Sequence, residues 1–172
     1  MKDYFIEREN IGLRPINVKD KYEFIKWHND EDMRERIGGI FPFNEASFNE
    51  IVSLGFEEYP KNIWFSICRN KKLIGIAGLH NIKYVQKNAE CAIFIGKGEE
   101  RQQKNGSLAL KLIEEYAFGE LGLHRIYAYV FSKNNVAKHF FEKNKWKYEG
   151  TMNEAFYWKF HYRDIDIYAK LR

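Results

Sequence analysis

The sequence has few of the residues that mark secreted, membrane or low-complexity proteins. Cysteine occurs twice in 172 residues, as Cys68 and Cys91, both within apolar, strand-like runs and without the spacing of a metal site. We expect two small buried core residues, no disulfide and a reducing compartment. No apolar run approaches a membrane span in length, and the charged start MKDYFIEREN differs from a signal peptide. These features predict a cytoplasmic protein without a membrane partner.

The chain also has little excess of positive over negative charge. Lys and Arg number 28 against 24 Asp and Glu, a formal charge of +4, and the two signs are interspersed along the chain. A nucleic-acid-binding protein would carry a dense basic stripe, so nucleic acid is not expected as a partner. The small positive charge still helps to attract a polyanion such as a nucleotide.

Proline is rare too, with three residues, and the chain contains no linker, internal repeat or low-complexity segment. Apolar residues make up 45% of the chain and charged residues 30%, which is an ordinary globular composition. Residues 1–172 are therefore expected to form a single domain, long enough to bury a substantial core.

Hydrophobic periodicity predicts an α+β domain with a mixed, mostly antiparallel central sheet flanked by helices. Three runs with short polar connections predict an antiparallel meander, and a helix between two later strands predicts one parallel crossover. The predicted strands cover 11–17, 62–69, 73–84, 89–95, 123–131 and a final antiparallel pair within 145–171, and the predicted helices cover 18–30, 44–59, 106–121 and 136–144.

Local signals add detail to the first elements. Pro15 predicts that the first strand lies at a sheet edge, because proline cannot donate to a ladder. Asn44 is predicted to cap the second helix. The first helix is expected to be amphipathic, with the apolar residues Val18, Tyr22, Ile25 and Trp27.

The segment Glu99–Phe118, EERQQKNGSLALKLIEEYAF, has the layout of a phosphate site. A charged, turn-like run passes through Gly106 and Ser107 directly into an amphipathic helix. The first N–H groups of a helix have no partner within it and lie at the positive end of its dipole, so they attract phosphate. The segment contains fewer glycines than such a loop usually has.

Several motifs resemble the GNAT superfamily of N-acetyltransferases, which use acetyl-coenzyme A. The run AECAIFIG resembles the fourth strand of the family, and the loop 101–107 with its helix resembles the signature Q/R-x-x-G-x-G/A. The segment VFSKNNVAKHFFEKNKWKYEG resembles the family's strand, Asn, and helix ending in Glu-Lys before an aromatic residue. The tail HYRDIDIYA resembles the branch of ribosomal-protein N-terminal acetylases and spermidine acetyltransferases. The resemblance runs from about Leu13 to Leu171.

This resemblance implies a site for acetyl-coenzyme A. The backbone of the fourth strand would pair with the pantetheine arm, and the amides of the loop would hold the pyrophosphate. His139 and His161 have no partners that suggest a metal site, so no metal is predicted. The implied cofactor residues are Ile93, Phe94, Ile95, Arg101, Gln102, Gln103, Lys104, Asn105, Gly106, Ser107, Asn134, Phe141 and Lys143.

Three positions depart from the family pattern. Lys104 replaces the central glycine of the signature, and Lys145 replaces the glycine before the aromatic residue. Glycine permits positive φ and close backbone approach, which lysine achieves only at a cost. Phe141 stands where many members carry a tyrosine that protonates the leaving thiolate. Tyr148 and Tyr157 are the alternative proton donors.

Acetyl transfer to an amine needs a group that removes a proton, because most amines are protonated at neutral pH. Glu90 is the preferred base, since its position resembles that of the family's Glu that acts through water, although a strand-end carboxylate can also be a surface group. His80 and His124 are alternative bases. Asn134 is the second predicted catalytic residue, near the thioester, and it is also a natural helix cap.

The predicted function is an acetyl-coenzyme A-dependent N-acetyltransferase in which a primary amine attacks the thioester directly. The acceptor is an amine-bearing small molecule (a polyamine, amino sugar or antibiotic) or a protein N-terminus. Glu31, Asp32 and Glu35 are either an attractor for a cationic amine or a solvated charge run. The alternative function is a non-catalytic acyl-coenzyme A-binding or regulatory domain, which Lys104 and Phe141 favour. A homodimer joined at a strand edge is a further expectation.

Overall fold

An eight-stranded sheet with helices on both faces forms the molecule. The computed structural model describes residues 4–53, 58–96, 98 and 104–172. The strands are β1 (Ile6–Arg8), β2 (Ile11–Pro15), β3 (Ile63–Arg69), β4 (Lys72–Lys83), β5 (Asn88–Ile95), β6 (Arg125–Phe131), β7 (Lys147–Trp158) and β8 (His161–Leu171). The helices are α1 (Lys21–Asn29), α2 (Glu31–Ile37), α3 (Glu45–Ser53), α4 (Asn105–Glu115) and α5 (Asn135–Lys143).

The sheet is mixed, with the strand order β1-β2-β3-β4-β5-β6-β8-β7. Within the described residues, β5 and β6 form the one parallel pair, and the other neighbours are antiparallel. The connection between the parallel strands runs through α4, as a parallel crossover requires. The predicted α+β class, the meander β3-β4-β5 and the crossover are therefore confirmed.

The side chains of β5 alternate between two hydrophobic cores, because successive residues of a strand point to opposite faces. Cys91 and Ile95 belong to the larger core, which also contains buried residues of α4 and α5. Phe94 packs against the smaller core, where Phe24 of α1 meets Phe48 of α3. The strand β5 thus separates one layer made of α4 and α5 from another made of α1 and α3.

The structure contains two elements that the sequence pattern did not predict. β1 has three residues, too few to display an alternation. α2 follows α1 immediately after Asp30, whose side chain caps it by accepting a hydrogen bond from the N–H of Met33 at 3.0 Å. The helix ends at Gly38, which has φ 73. An acidic cap and a C-terminal glycine are signals that a sequence displays, so α2 was predictable.

Two details predicted for the first elements are wrong. β2 lies between β1 and β3 and is not an edge strand. β1 pairs with its first three residues, so Pro15 sits beyond that ladder and its missing N–H breaks no bond with β1. In and before α1, Val18 and Tyr22 are 63% and 74% exposed, whereas Phe24 and Trp27 are buried. Trp27 is buried as predicted, but the buried face of the helix is formed with Phe24 and does not include Val18 and Tyr22.

Two smaller predictions are confirmed. The Asn44 side chain caps α3, since its Oδ1 accepts a hydrogen bond from the N–H of Ser47 at 3.1 Å. Cys68 and Cys91 are both buried free thiols. Burial raises the pKa of each thiol, which suits a core residue better than a nucleophile.

Candidate active site

The ladder between β5 and β6 is short, and the two strands separate beyond it. Pairing joins Asn88–Glu90 of β5 to Arg125–Tyr127 of β6. On its other side, β5 stays paired with β4 as far as Ile95. We call the gap between Cys91–Phe94 of β5 and Ala128–Phe131 of β6 the wedge. It opens an edge within the sheet at which an extended ligand can form main-chain hydrogen bonds.

Three predicted cofactor residues lie on the β5 side of the wedge or next to it. Ile93 and Phe94 are partly buried, and their side chains pack against the larger and the smaller core respectively. Ile95 is 9% exposed and belongs to the larger core. These side chains hold β5 in place between two helical layers, so its main chain is the part that a ligand in the wedge would meet.

The first turn of α4 contains the described part of the predicted phosphate loop. Lys104 precedes the helix with φ 60 and ψ 1, which is the left-handed conformation that glycine adopts most readily. Lys104 thus takes the backbone geometry of the glycine it replaces in the signature. Arg101, Gln102 and Gln103 lie outside the described residues.

Close packing surrounds the rest of this turn. Asn105 is 1% exposed. A Cβ added at Gly106 would lie 3.2 Å from Cε2 of Phe140 in α5, so the ring of Phe140 packs closely over this glycine. The Nδ2 group of Asn144 donates to Oγ of Ser107 at 3.1 Å. The N-terminus of α4 is therefore fixed against α5.

α5 carries the remaining predicted cofactor residues. Asn134 caps the helix, since its Oδ1 accepts a hydrogen bond from the N–H of Ala137 at 3.1 Å. Phe141 is 6% exposed and packs against the rings of Trp146 and Tyr168. Lys143 lies exposed in the last turn. Asn134 therefore has a structural role as the cap of α5, and Phe141 is a core residue without a hydroxyl group.

Glu90 and His80, the preferred base and one alternative, lie together at the closed end of the wedge. They are paired residues on β5 and β4, and Nε2 of His80 is 3.3 Å from Oε1 of Glu90. The second oxygen, Oε2, accepts a hydrogen bond from Nδ2 of Asn81 at 3.2 Å. The ring of Trp64 stacks on His80 with centroids 5.4 Å apart. Glu90 is thus part of a network of side chains, not an isolated surface carboxylate.

Burial lowers the pKa of His80 more than the charge of Glu90 raises it, so the imidazole is neutral at neutral pH. In the neutral ring one nitrogen carries a proton and the other has a free lone pair. A neutral histidine beside a carboxylate is a combination that can accept a proton and stabilise the resulting charge.

Two tyrosines of β6 complete this end of the wedge, and the sequence patterns did not identify them. Tyr127 pairs directly with Glu90 across the parallel ladder, and Tyr129 follows on the same face, with ring centroids 5.5 Å apart. Tyr129 is 45% exposed. Their position depends on the register between two strands far apart in sequence, for which no local pattern exists.

Two of the three acidic residues of α2 are paired with cations, and all three are exposed to solvent. Oε1 of Glu31 accepts a hydrogen bond from Nζ of Lys159 at 2.6 Å, and Oε1 of Glu35 accepts one from Nη2 of Arg163 at 3.0 Å. Asp32 is exposed. The charges of Glu31 and Glu35 therefore join α2 to the hairpin of β7 and β8.

The other candidate residues lie away from the wedge. His124 is exposed before β6, and Tyr157 stacks near Tyr162 in the β7–β8 hairpin. Tyr148 lines a polar cavity of about 460 Å³ beside α5, where its hydroxyl is 2.7 Å from Oγ1 of Thr151. The structure does not bring these groups to Glu90.

The described ranges contain neither a group of side chains that could hold a metal ion nor a helix that could span a membrane. Neither His139 nor His161 belongs to a group of three or more His, Cys, Asp or Glu side chains that could hold a metal ion, and no such group occurs elsewhere in these ranges. No helix in the described part of the chain has the length and apolar character needed to cross a membrane.

Comparison with known sequences gives matches over most of the chain. The model of the acetyltransferase (GNAT) domain family matches residues 10–147. The spermidine N(1)-acetyltransferase of Vibrio cholerae is 31% identical over 150 residues, which cover 80% of this chain and 81% of that protein.

Solved structures are similar over nearly the whole chain. A spermidine N-acetyltransferase from Vibrio cholerae, in complex with CoA and spermine, has a TM-score of 0.77 at 25% identity and covers 94% of this chain and 95% of its own. RimL, a ribosomal L7/L12 alpha-N-protein acetyltransferase in complex with coenzyme A, has a TM-score of 0.83 at 15% identity, covering 95% of each chain. At that identity RimL shows likeness of fold alone.

Proposed function

Because the chain belongs to the acetyltransferase (GNAT) domain family, we propose that it transfers the acetyl group of acetyl-coenzyme A to a primary amine at the wedge. The observation that carries this proposal is the separation of β5 from β6 directly beyond Glu90. It puts an open main-chain edge next to the paired side chains of Glu90 and His80. A long, thin cosubstrate and a proton-accepting group therefore meet at one place.

The residues of the wedge fit acetyl-coenzyme A in shape and in charge. The edge of β5 at Cys91–Phe94 offers main-chain groups to the amides of a pantetheine arm. The N–H groups of the first turn of α4, at Asn105–Ser107, lie at the positive end of the helix dipole, where they would hold a diphosphate. Asn134 at the N-cap of α5 and Lys143 in its last turn would contribute polar groups. Phe141 of the same helix is an apolar core residue.

Acetyl-coenzyme A supplies the activated thioester, and the chain supplies orientation and proton removal. Holding both substrates in the wedge converts a bimolecular reaction into an effectively unimolecular one, which accounts for a large part of the rate enhancement. The pair of Glu90 and His80 takes the proton that the amine must lose before its nitrogen can attack. Asn134 stands at the cap of α5, where its amide can also order water near the thioester.

The acceptor is an amine, and one of its candidate classes has support from a relative. The Vibrio cholerae relative, 31% identical, is a spermidine N(1)-acetyltransferase. A polyamine is therefore the first choice, ahead of a protein N-terminus, an amino sugar or an antibiotic. Because Glu31 and Glu35 are paired with Lys159 and Arg163, α2 offers a polycation less free negative charge than its sequence indicates.

We also propose that the protein is cytoplasmic and forms a homodimer. Two buried free thiols suit a reducing compartment. β7 forms one end of the sheet with 12 residues, and such an edge can pair with a second copy. Light scattering of the purified chain would test the dimer.

The function is tested with purified protein, acetyl-coenzyme A and a panel of amines: spermidine, N-terminal peptides, amino sugars and aminoglycosides. We expect release of the coenzyme A thiol together with an acetylated amine in the mass spectrum, for at least one acceptor. The matched control omits the amine, which leaves only slow hydrolysis of the thioester.

The second candidate function is a non-catalytic acyl-coenzyme A-binding domain, favoured by the absence of a hydroxyl group at Phe141. Calorimetry separates the two functions. Binding of coenzyme A without thiol release across the whole panel would support the binding domain, and failure to bind coenzyme A would contradict both.

A further inference from the structure

The distribution of hydrogen bonds around Glu90 assigns different roles to the two members of the pair. Glu90 is 16% and His80 23% exposed at the side chain, so both are mostly shielded from bulk water. Both oxygens of Glu90 have a neighbour: His80 Nε2 at 3.3 Å and Asn81 Nδ2 at 3.2 Å. Asn81 Nδ2 can only donate, so a proton on Oε2 would disrupt that contact, and Oε1 accepts from His80 whenever Nε2 carries the ring proton.

The backbone of β4 is irregular at the point where it supplies this second donor. The register of β4 against β5 shifts between His80 and Lys83, and Asn81 has φ 52. Without the bulge, strict alternation would turn the side chain of Asn81 to the face opposite His80. The irregularity lets two consecutive residues, His80 and Asn81, both reach Glu90. A left-handed conformation costs a non-glycine residue free energy, although asparagine tolerates it better than most.

The ring of His80 is held in one orientation. Trp64 of β3 stacks on it with an interplanar angle of 20° and a centroid distance of 5.4 Å. With Nε2 directed at an ionised Glu90, the neutral imidazole carries its proton on Nε2, and the lone pair remains on Nδ1. A carboxylate that fixes the tautomer of a histidine is the arrangement by which histidine bases are oriented in many enzymes.

We propose that His80 is the general base of the acetyl transfer, accepting the proton at Nδ1, and that Glu90 is the positioning residue that holds its tautomer and stabilises the imidazolium. The inference rests on the proposed function, because it divides the roles at that site. It reverses the preference that resemblance to the family gives to Glu90.

During each transfer the amine gives up two protons. Nδ1 of His80 takes one proton from the ammonium group and leaves a neutral amine. The nitrogen lone pair forms the C–N bond to the thioester carbonyl carbon, and the C–S bond breaks with its electron pair leaving on sulfur. The nitrogen loses a second proton as it becomes an amide, the thiolate gains one, and His80 returns its proton to water.

The ionisable groups around His80 give the expected direction of the pH dependence. Among the described residues, Glu90 from β5 is the charged group that acts on it, Trp64 from β3 carries no charge, and Tyr127 from β6 faces Glu90 with a pKa that is raised, chiefly by burial. Burial lowers the pKa of His80 and the charge of Glu90 partly offsets this. Removal of that charge should therefore lower the pKa of His80 further.

The test is the pH dependence of kcat/KM with a peptide N-terminus as acceptor, whose own amine ionises near pH 8. As the pH falls, kcat/KM of the wild-type protein should decrease first with the ionisation of the amine and then again with an apparent pKa below about 6.5. We call this second decrease the lower limb of the profile. In His80→Gln this lower limb should vanish and kcat should fall about 100-fold or more. In Glu90→Gln the limb should persist at lower pH. Asn81→Ala is the matched control, since it removes the other neighbour of Glu90 and should retain the limb.

An NMR titration of the imidazole in the free protein gives a second readout that needs no turnover. His80 should titrate below about pH 6.5, and lower still in Glu90→Gln. The proposal is overturned if the lower limb is lost in Glu90→Gln and kept in His80→Gln, or if the His80 titration does not respond to Glu90→Gln. Absence of acetyl transfer to any amine by the wild-type protein would instead contradict the proposed function, while the NMR result would still report on the pair.

Discussion

Two lysines occupy backbone conformations that suit glycine, and both stand where the family pattern has glycine. Lys104 has φ 60 and Lys145 has φ 63. Lys145 ends α5 in a Schellman arrangement: its N–H donates to the carbonyl of Glu142 at 2.9 Å, and the N–H of Trp146 donates to the carbonyl of Phe141 at 3.0 Å. The chain has thus kept the local fold of the family while losing the residue that adopts it without strain.

We predict that Lys104→Gly and Lys145→Gly each raise the free energy of unfolding by about 0.5–1 kcal/mol. The left-handed conformation costs a residue with a Cβ about 1–2 kcal/mol, and substitution by glycine removes this strain. Because unfolded glycine has greater conformational freedom, about half of the stabilisation is lost again. Urea titration measures the change. The control is Lys147→Gly, an exposed lysine within β7, which should lose stability. If all three substitutions lowered the free energy of unfolding equally, Lys104 and Lys145 would not be strained by their left-handed conformation.

Among the elements, the N-terminus of α4 bears most directly on cofactor binding. It lies beside α5, fixed by Asn144 on Ser107 and by the close approach of Gly106 to Phe140. Lys104 stands at its first turn and is exposed, so its ammonium adds positive charge to the positive end of the helix dipole. The lysine thus keeps the backbone conformation of the glycine and adds a positive charge at the helix terminus.

Reversing that charge should weaken coenzyme A binding selectively. We predict that Lys104→Glu raises the Kd about tenfold, because attraction of the diphosphate becomes repulsion worth about 1.4 kcal/mol in total. Lys111→Glu is the control: it makes the same charge change on an exposed position of α4, about 10 Å farther along the helix, where salt screens it. Calorimetry at low and physiological salt compares them. Equal weakening by both substitutions would show that net charge, and not the helix terminus, is responsible.

The elements also show what the sequence could and could not predict. The meander and the crossover follow from local periodicity, and α2 could have been found from the cap at Asp30 and the glycine at position 38. The wedge could not, because it depends on where the ladder between β5 and β6 stops, a matter of register between distant segments. For the same reason the resemblance gave Glu90 a role but gave no sign that Tyr127 lies opposite it or that Asn81 supports it.

In the whole molecule, the wedge connects two layers that the sheet otherwise separates. α4 and α5 pack on one face, where a cofactor would lie, and α1 and α3 pack on the other, where Phe94 meets their core. α2 is tied to the end of the sheet by its ion pairs with Lys159 and Arg163. In the proposed reaction, the gap between β5 and β6 would let a thioester and an amine meet from opposite faces of the sheet, with His80 and Glu90 at its closed end.

Hydrogen exchange of backbone amides with and without coenzyme A tests whether coenzyme A binds in the wedge. We expect slower exchange at Cys91–Phe94 and at Asn105–Ser107, because a bound ligand must close the edge of β5 and cover the first turn of α4. The hairpin around Lys159 should be unaffected. Unchanged exchange at both segments while calorimetry shows bound coenzyme A would contradict binding in the wedge.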